Sequence, residues 1–172
     1  MYSSSPTPRR NTGLARVTVA LLRVRHVLDE KLPAPLCLPV RILTWGWLLL
    51  LGAEIPSGTR IGRNLVLPHG GRGVIIHPAV RVGDDVTLYH QVTLGVRGSR
   101  DDAPVIGDGV YIGAKASVLG PVRVGPGARI GAGAVVIDDV PAGATATGVP
   151  ARIRRTHEEH ERPTHDDGTG QN

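Results

Sequence analysis

The chain carries seven histidines, the side chains best suited to take and return a proton near neutral pH. His69 lies in Leu67-Pro-His-Gly-Gly71, where the two glycines would let a substrate approach the backbone beside the imidazole. Glu54, upstream in Ala53-Glu-Ile-Pro-Ser57, is a carboxylate that could hold such an imidazole in one tautomer and stabilise its protonated form. Together they suggest general-base chemistry, in which a nucleophile loses its proton as it attacks. His90, in Tyr89-His-Gln-Val-Thr-Leu-Gly95, is a second candidate. The others read more plainly. His26 belongs to a helix surface or interface and His77 precedes Pro78 at a repeat corner. His157, His160 and His165 lie among acidic residues without a fixed backbone, so no metal site is expected.

What positions these groups is a repeat. From Ile55 onward small apolar residues recur with a period of six, which fits neither a helix nor simple strand alternation. Ile76, Val82, Leu88 and Leu94 form one run, and Ile106, Ile112, Val118, Val124, Ile130 and Val136 form a second in the same phase. A second small apolar residue follows four places after most of these leaders. Gly83, Gly95, Gly107, Gly113, Gly125 and Gly131 directly follow leaders, where sharp corners are expected to use their permissive backbone angles. Three hexapeptides would close one triangular coil, and stacked coils would pair as parallel strands around inward aliphatic ladders. On that spacing Glu54 and His69 come near each other on successive coils, and His90 follows one coil later facing the same cleft.

Composition agrees with a narrow interior. Phe is absent and aromatics make up 3% of the chain, whereas there are 23 glycines and 14 prolines, so large rings cannot fill the core. Residues 1–13 read as a disordered arm and 153–172 as a flexible tail, flanking a helical region over 14–53 and the repeat over 54–152. Within the helical region, Leu14 to Leu28 has helical periodicity that ends at Pro33 and Pro35, and a second helix is expected from about Val40 to Leu51. That apolar stretch contains Arg41 and is too short to span a bilayer. Packing of 40–51 on a neighbouring subunit is favoured over membrane contact. A single cysteine, Cys37, and no signal segment point to the cytoplasm. The formal charge of +5 comes from scattered arginines, a pattern that speaks against nucleic-acid binding.

Over roughly Glu54 to Arg152 the sequence resembles the hexapeptide-repeat acyltransferases, and among them the serine O-acetyltransferases. The segments that carry the likeness are Gln91-Val-Thr-Leu-Gly95, Ile112-Gly-Ala114, Ile130-Gly-Ala-Gly133 and Gly148-Val-Pro-Ala-Arg152. The resemblance implies a mainly β fold, a left-handed parallel β-helix preceded by a short helical region, assembled as a homotrimer with active sites between subunits. It implies acetyl-CoA as co-substrate and L-serine as the first choice of hydroxyl acceptor. His69 falls where the family places its catalytic histidine, and Glu54 where it places an orienting aspartate. Gly95, Ala114, Ala132 and Arg152 fall where the family contacts acetyl-CoA.

Some positions depart from the pattern. Pro68 stands where the serine enzymes carry an aspartate before the catalytic histidine, and Asp101-Asp-Ala-Pro104 replaces their Arg-His pair before a proline. Those missing groups normally grip the amino acid. A sugar, a polysaccharide precursor or a specialised-metabolite hydroxyl is therefore the alternative acceptor. A catalytically silent trimeric scaffold is the third reading, because stacked repeats are stable without an active site.

Overall fold

A computed structural model describes Asn11, residues 13–99 and residues 102–154. Two helices, α1 (Leu14–Lys31) and α2 (Ala34–Leu50), precede a prism of short strands. One face stacks β1 (Arg60–Ile61), β3 (Arg81–Val82), β6 (Val105–Ile106) and β9 (Arg123–Val124). The next joins β4 (Thr87–Leu88), β7 (Tyr111–Ile112), β10 (Arg129–Ile130), β12 (Thr145–Thr147) and β13 (Arg152–Arg154), and the last joins β2 (Ile75–Ile76), β5 (Thr93–Gly95), β8 (Ser117–Leu119) and β11 (Val135–Val136). Strands of two or three residues cannot stand alone; each finds backbone partners in the coils beside it. The pairing is parallel throughout, except that β13 folds back antiparallel onto β12.

The leaders point inward. Leu88, Leu94, Ile106, Ile112, Val118 and Ile130 are each at most 2% exposed, forming aliphatic ladders along the axis. Full burial of each such side chain contributes about 1.5–3 kcal/mol, more than a net backbone hydrogen bond at about 1 kcal/mol, so the ladders set the register and the hydrogen bonds follow.

The glycines that follow the leaders work differently from the sequence expectation. Gly83, Gly107, Gly113, Gly125 and Gly131 are not among the residues with positive φ. Those residues fall two positions further on, as at Gly109 (φ 65°) and Gly133 (φ 68°). The leader-following glycines are small because the next coil presses on them. A Cβ on Gly113 would lie 2.6 Å from the Ala132 amide nitrogen, and one on Gly107 2.8 Å from the Pro126 nitrogen.

The coils are also not uniform. Tyr111 pairs with Arg129, the regular eighteen-residue step, but Arg60 pairs with Arg81 and Thr93 with Ser117. The first coil is thus three residues longer, an expansion that falls at the Pro68–Gly73 corner. The third is six residues longer, and the extra length falls between β5 and β6.

The helices differ from expectation at one boundary. α2 starts at Ala34, well before Val40, with Pro33 as its N-cap and Pro35 in its first turn, where a missing N–H costs nothing. Pro39 lies inside this helix. Arg25 is buried and its Nη2 donates to the Ile55 and Pro56 carbonyls at 3.0 and 3.1 Å, tying α1 to the first coil. Burial pushes its guanidinium pKa down, while neighbouring Asp29 opposes the shift. Asn11 was expected in the free arm but clamps the same coil, donating to the Leu65 carbonyl (2.7 Å) and accepting from the Leu67 amide (2.8 Å). The other residues of 1–12, and those beyond 154, lie outside the described residues, as do the tail histidines. Among the described residues no helix is long and apolar enough to cross a membrane. The outer face of α2 is nonetheless apolar, with Leu43, Trp45 and Leu50 at 60, 65 and 78% exposure.

Candidate active site

The expanded corner lifts His69 out of the prism wall. Its side chain is exposed, whereas Gly70 and Gly71 behind it are buried, with φ of 74° and 84°. A wider side chain at Gly70 would meet Leu14, since its Cβ would sit 3.0 Å from the Leu14 Cβ. The helices brace this corner through a relay. Trp47 Nε1 donates to the Thr18 hydroxyl at 3.0 Å, and that hydroxyl shares its one proton between the Gly70 carbonyl at 2.9 Å and the Leu14 carbonyl at 3.0 Å. Thr18 is fully buried, so the relay is shielded from water and holds the backbone immediately after His69. Trp47 therefore serves its own chain, and of the tryptophan pair only Trp45 faces outward.

His90 comes to the same place from the next coil. The two imidazoles meet edge to face with centroids 4.7 Å apart, and His90 Nδ1 is buried without a hydrogen-bond partner. They share an open cleft of about 580 Å³ with Leu51, Gly52, Arg72, Gly73 and Gln91. An unsatisfied buried ring nitrogen is costly, so a ligand group at this point would be recognised by what it repairs.

Glu54 is not brought onto His69. Its backbone bridges to Ile75, but its side chain is exposed and makes no hydrogen bond or ion pair among the described residues. It lines a separate depression beside α2 with Arg25, Arg41 and Trp45. Coils of equal length would bring the two together, but the first coil is longer and sets His69 on its expanded corner.

The four positions compared with acetyl-CoA contacts divide as well. Ala114 and Ala132 follow β7 and β10 on the corner above His90, where Lys115 donates to the His90 carbonyl (3.0 Å) and Gly133 to the Ala114 carbonyl (2.8 Å). Gly95 lies across the strand at the far end of β5, and its carbonyl accepts from Gly120 (3.0 Å). Arg152 is exposed on β13, opposite Thr147. No group of three or more metal-ligating side chains occurs among the described residues.

Tyr89, Tyr111 and Arg129 join the site without a motif that marks them in the sequence. The Tyr89 ring lies 5.7 Å from His69 and 5.3 Å from Tyr111, and the Arg129 guanidinium sits 4.7 Å over Tyr111. The signal was present in the sequence: with three tyrosines in the whole chain, two in the repeat beside leaders are out of character for a prism.

A hexapeptide transferase family, described as bacterial transferase hexapeptide (six repeats), matches residues 103–138. WcaB of Escherichia coli K12, which bears the name of a colanic acid biosynthesis acetyltransferase, is 40% identical over 133 residues, covering 77% of this chain and 80% of that protein. The chain belongs to the hexapeptide-repeat acyltransferase family, and its prism is the left-handed parallel β-helix. Within that family it is most like the serine O-acetyltransferases. The serine acetyltransferase of Helicobacter pylori J99 is 48% identical over 107 residues, covering 60% of this chain and 61% of the relative. The soybean serine acetyltransferase apoenzyme superposes with a TM-score of 0.72 at 36% identity, over 82% of this chain and 57% of that one. The chain thus spans between about a third and three-fifths of the length of the serine acetyltransferases it matches.

Proposed function

We propose that the chain transfers an acetyl group from acetyl-CoA to a hydroxyl, with His69 as general base and L-serine as the first acceptor. The observation that carries this reading is the exposed His69 on an expanded, helix-braced corner, in edge-to-face contact with His90 on the lining of one cleft. The acceptor oxygen attacks the thioester carbonyl as His69 takes its proton. The tetrahedral intermediate then collapses with loss of the C–S bond, and the proton passes to the departing thiolate. His90 is suited to hold the acceptor or the developing oxyanion, and Glu54 to orient His69 after a change of rotamer. Ala114 and Ala132, on the same corner, lie where an extended pantetheine arm could run, with Gly95 and Arg152 as outer contacts. A solved serine acetyltransferase complexed with CoA, 31% identical to this chain, supports the co-substrate.

Carbohydrate is the second acceptor reading. Pro68 in place of an acid and the match to WcaB over 80% of that protein favour it. Thiol release from acetyl-CoA, measured with L-serine, homoserine, threonine and a sugar panel, separates the two. Serine-dependent release supports the first, sugar-dependent release the second, and no release with any acceptor points to a scaffold. In the same assay Glu54→Gln should lower kcat by about 10–100-fold with KM unchanged if it orients the base. An unchanged kcat returns Glu54 to a solvated charge.

The reading also implies a cytoplasmic homotrimer, with the apolar face of α2 packed on another subunit. Cell fractionation tests the location. Sedimentation equilibrium should give three times the 18.1 kDa chain mass, and a monomer at micromolar concentration would remove the subunit-shared site.

A further inference from the structure

A groove larger than the histidine cleft lies outside it. It runs between α1 and the face built on β4, β7 and β10, encloses about 1000 Å³ and is lined by Arg16, Arg23, Asn64, Asp85, Tyr111 and Arg129, among others. That volume is at the upper end of what drug-sized ligands occupy, roughly 300–1000 Å³, and far exceeds what a single amino acid fills. Its charge is one-sided: Arg16, Arg23 and Arg129 face it with only Asp85 as an acid, and none of the three arginines is in an ion pair among the described residues. Asp85 is engaged locally, its Oδ1 accepting from Asn64 at 3.0 Å.

The groove is joined to the candidate base by rings. Tyr111, on its wall, is 5.3 Å from Tyr89, and Tyr89 is 5.7 Å from His69. Tyr111 on the groove wall with the Arg129 guanidinium beside it, and Tyr89 between that wall and His69, match one ligand chemistry closely. A pyranose presents an apolar C–H face that packs on an aromatic ring, and a uronate carboxylate is held by arginine in a paired hydrogen bond. Arg16 donates to the Asn11 carbonyl (2.8 Å) and Arg129 lies over Tyr111, but no carboxylate balances the charge of the three arginines, and an uncharged sugar would not supply one.

We propose that this groove binds an acidic oligosaccharide, with sugar rings stacked on Tyr111 and Tyr89 and carboxylates on Arg129 and Arg23, leading a chain hydroxyl to His69. The proposal deepens the carbohydrate reading of the acceptor and rests on it. In this arrangement the aromatic pair bridges one sugar unit at the histidines to further units in the groove.

Calorimetric titration of the full chain with tetragalacturonic acid, against neutral maltotetraose, tests it. Saturable binding of the acidic tetramer is expected, weakened by added salt, with maltotetraose much weaker. Tyr111→Ala and Arg129→Gln should each weaken binding by at least about tenfold, whereas Tyr111→Phe keeps the stacking face and should change it by less than about threefold. Arg23→Gln, on an exposed stretch of α1 where misfolding is not a concern, should weaken it by about threefold or more. Failure of the acidic tetramer to bind, or binding indifferent to all these variants, overturns the groove. Acetyl transfer from acetyl-CoA distinguishes this failure from that of the underlying reading. Binding through these residues without acetylation keeps the groove and removes carbohydrate as the acceptor. Acetylation with a KM unmoved in Tyr111→Ala and Arg129→Gln keeps the acceptor and removes the groove.

Discussion

His69→Ala should lower kcat for acetyl transfer by about 10²–10⁴-fold, the usual contribution of a positioned general base, while leaving the fold intact. Two features make the effect separable from stability. The side chain is exposed and its ring contacts among the described residues are with Tyr89 and His90, so its loss should cost within about 0.5 kcal/mol of stability. The corner itself is held by backbone and helix contacts that do not involve the imidazole, chiefly the Thr18 hydroxyl on the Gly70 carbonyl. Steady-state kinetics with an unchanged thermal midpoint would therefore read chemistry alone. If turnover survives in His69→Ala but disappears in His90→Ala, the base is His90, and the 4.7 Å approach of the two rings makes that exchange of roles structurally simple. If both variants turn over normally, neither imidazole takes the acceptor proton.

The second large effect is on stability, and it contrasts two glycines that look alike in the sequence. Gly113→Ala places a methyl 2.6 Å from the Ala132 nitrogen and 3.0 Å from the Gly131 carbonyl carbon, both backbone atoms of the next coil. Backbone that is itself stacked on a further coil cannot yield cheaply, so the expected loss is about 3 kcal/mol or more, at the severe end for overpacking. Gly133→Ala meets nothing within 4 Å, and its only cost is a left-handed φ of 68°, about 1–2 kcal/mol. Denaturant unfolding of the two variants checks the order. Equal losses would mean that the corner angle, and not contact between coils, is what selects glycine along this prism.

Much of the fold was legible because the six-residue period is a direct record of packing. Each inward leader has to be aliphatic and each site under the next coil has to be small, so the burial of Ile112 and the tight approach at Gly113 leave marks in the sequence. The reason for the glycines was misread, since sequence shows that a residue is small and not whether angle or space demands it. The start of α2 was misplaced for a related reason. In sequence Pro33 and Pro35 signal the end of one helix, whereas in the fold they open the next.

At the site, the sequence by itself determined the type of repeat, the aliphatic core and the presence of His69 beside two glycines. It also determined the departures at Pro68 and at Asp102 and Ala103 that loosen the link to serine. The tertiary structure decided which groups meet. The expansion of one coil at Pro68–Gly73 moves His69 outward, toward His90 and Tyr89 and clear of Glu54. Its depth is set by the buried relay from Trp47 through Thr18, residues on two different helices. The aromatic and cationic wall from Tyr89 to Arg129 joins positions on three successive coils, a proximity that arises only when parallel strands stack about 4.8 Å apart. Periodicity records what each residue faces within its own coil, and the spacing between coils is a property of the folded chain.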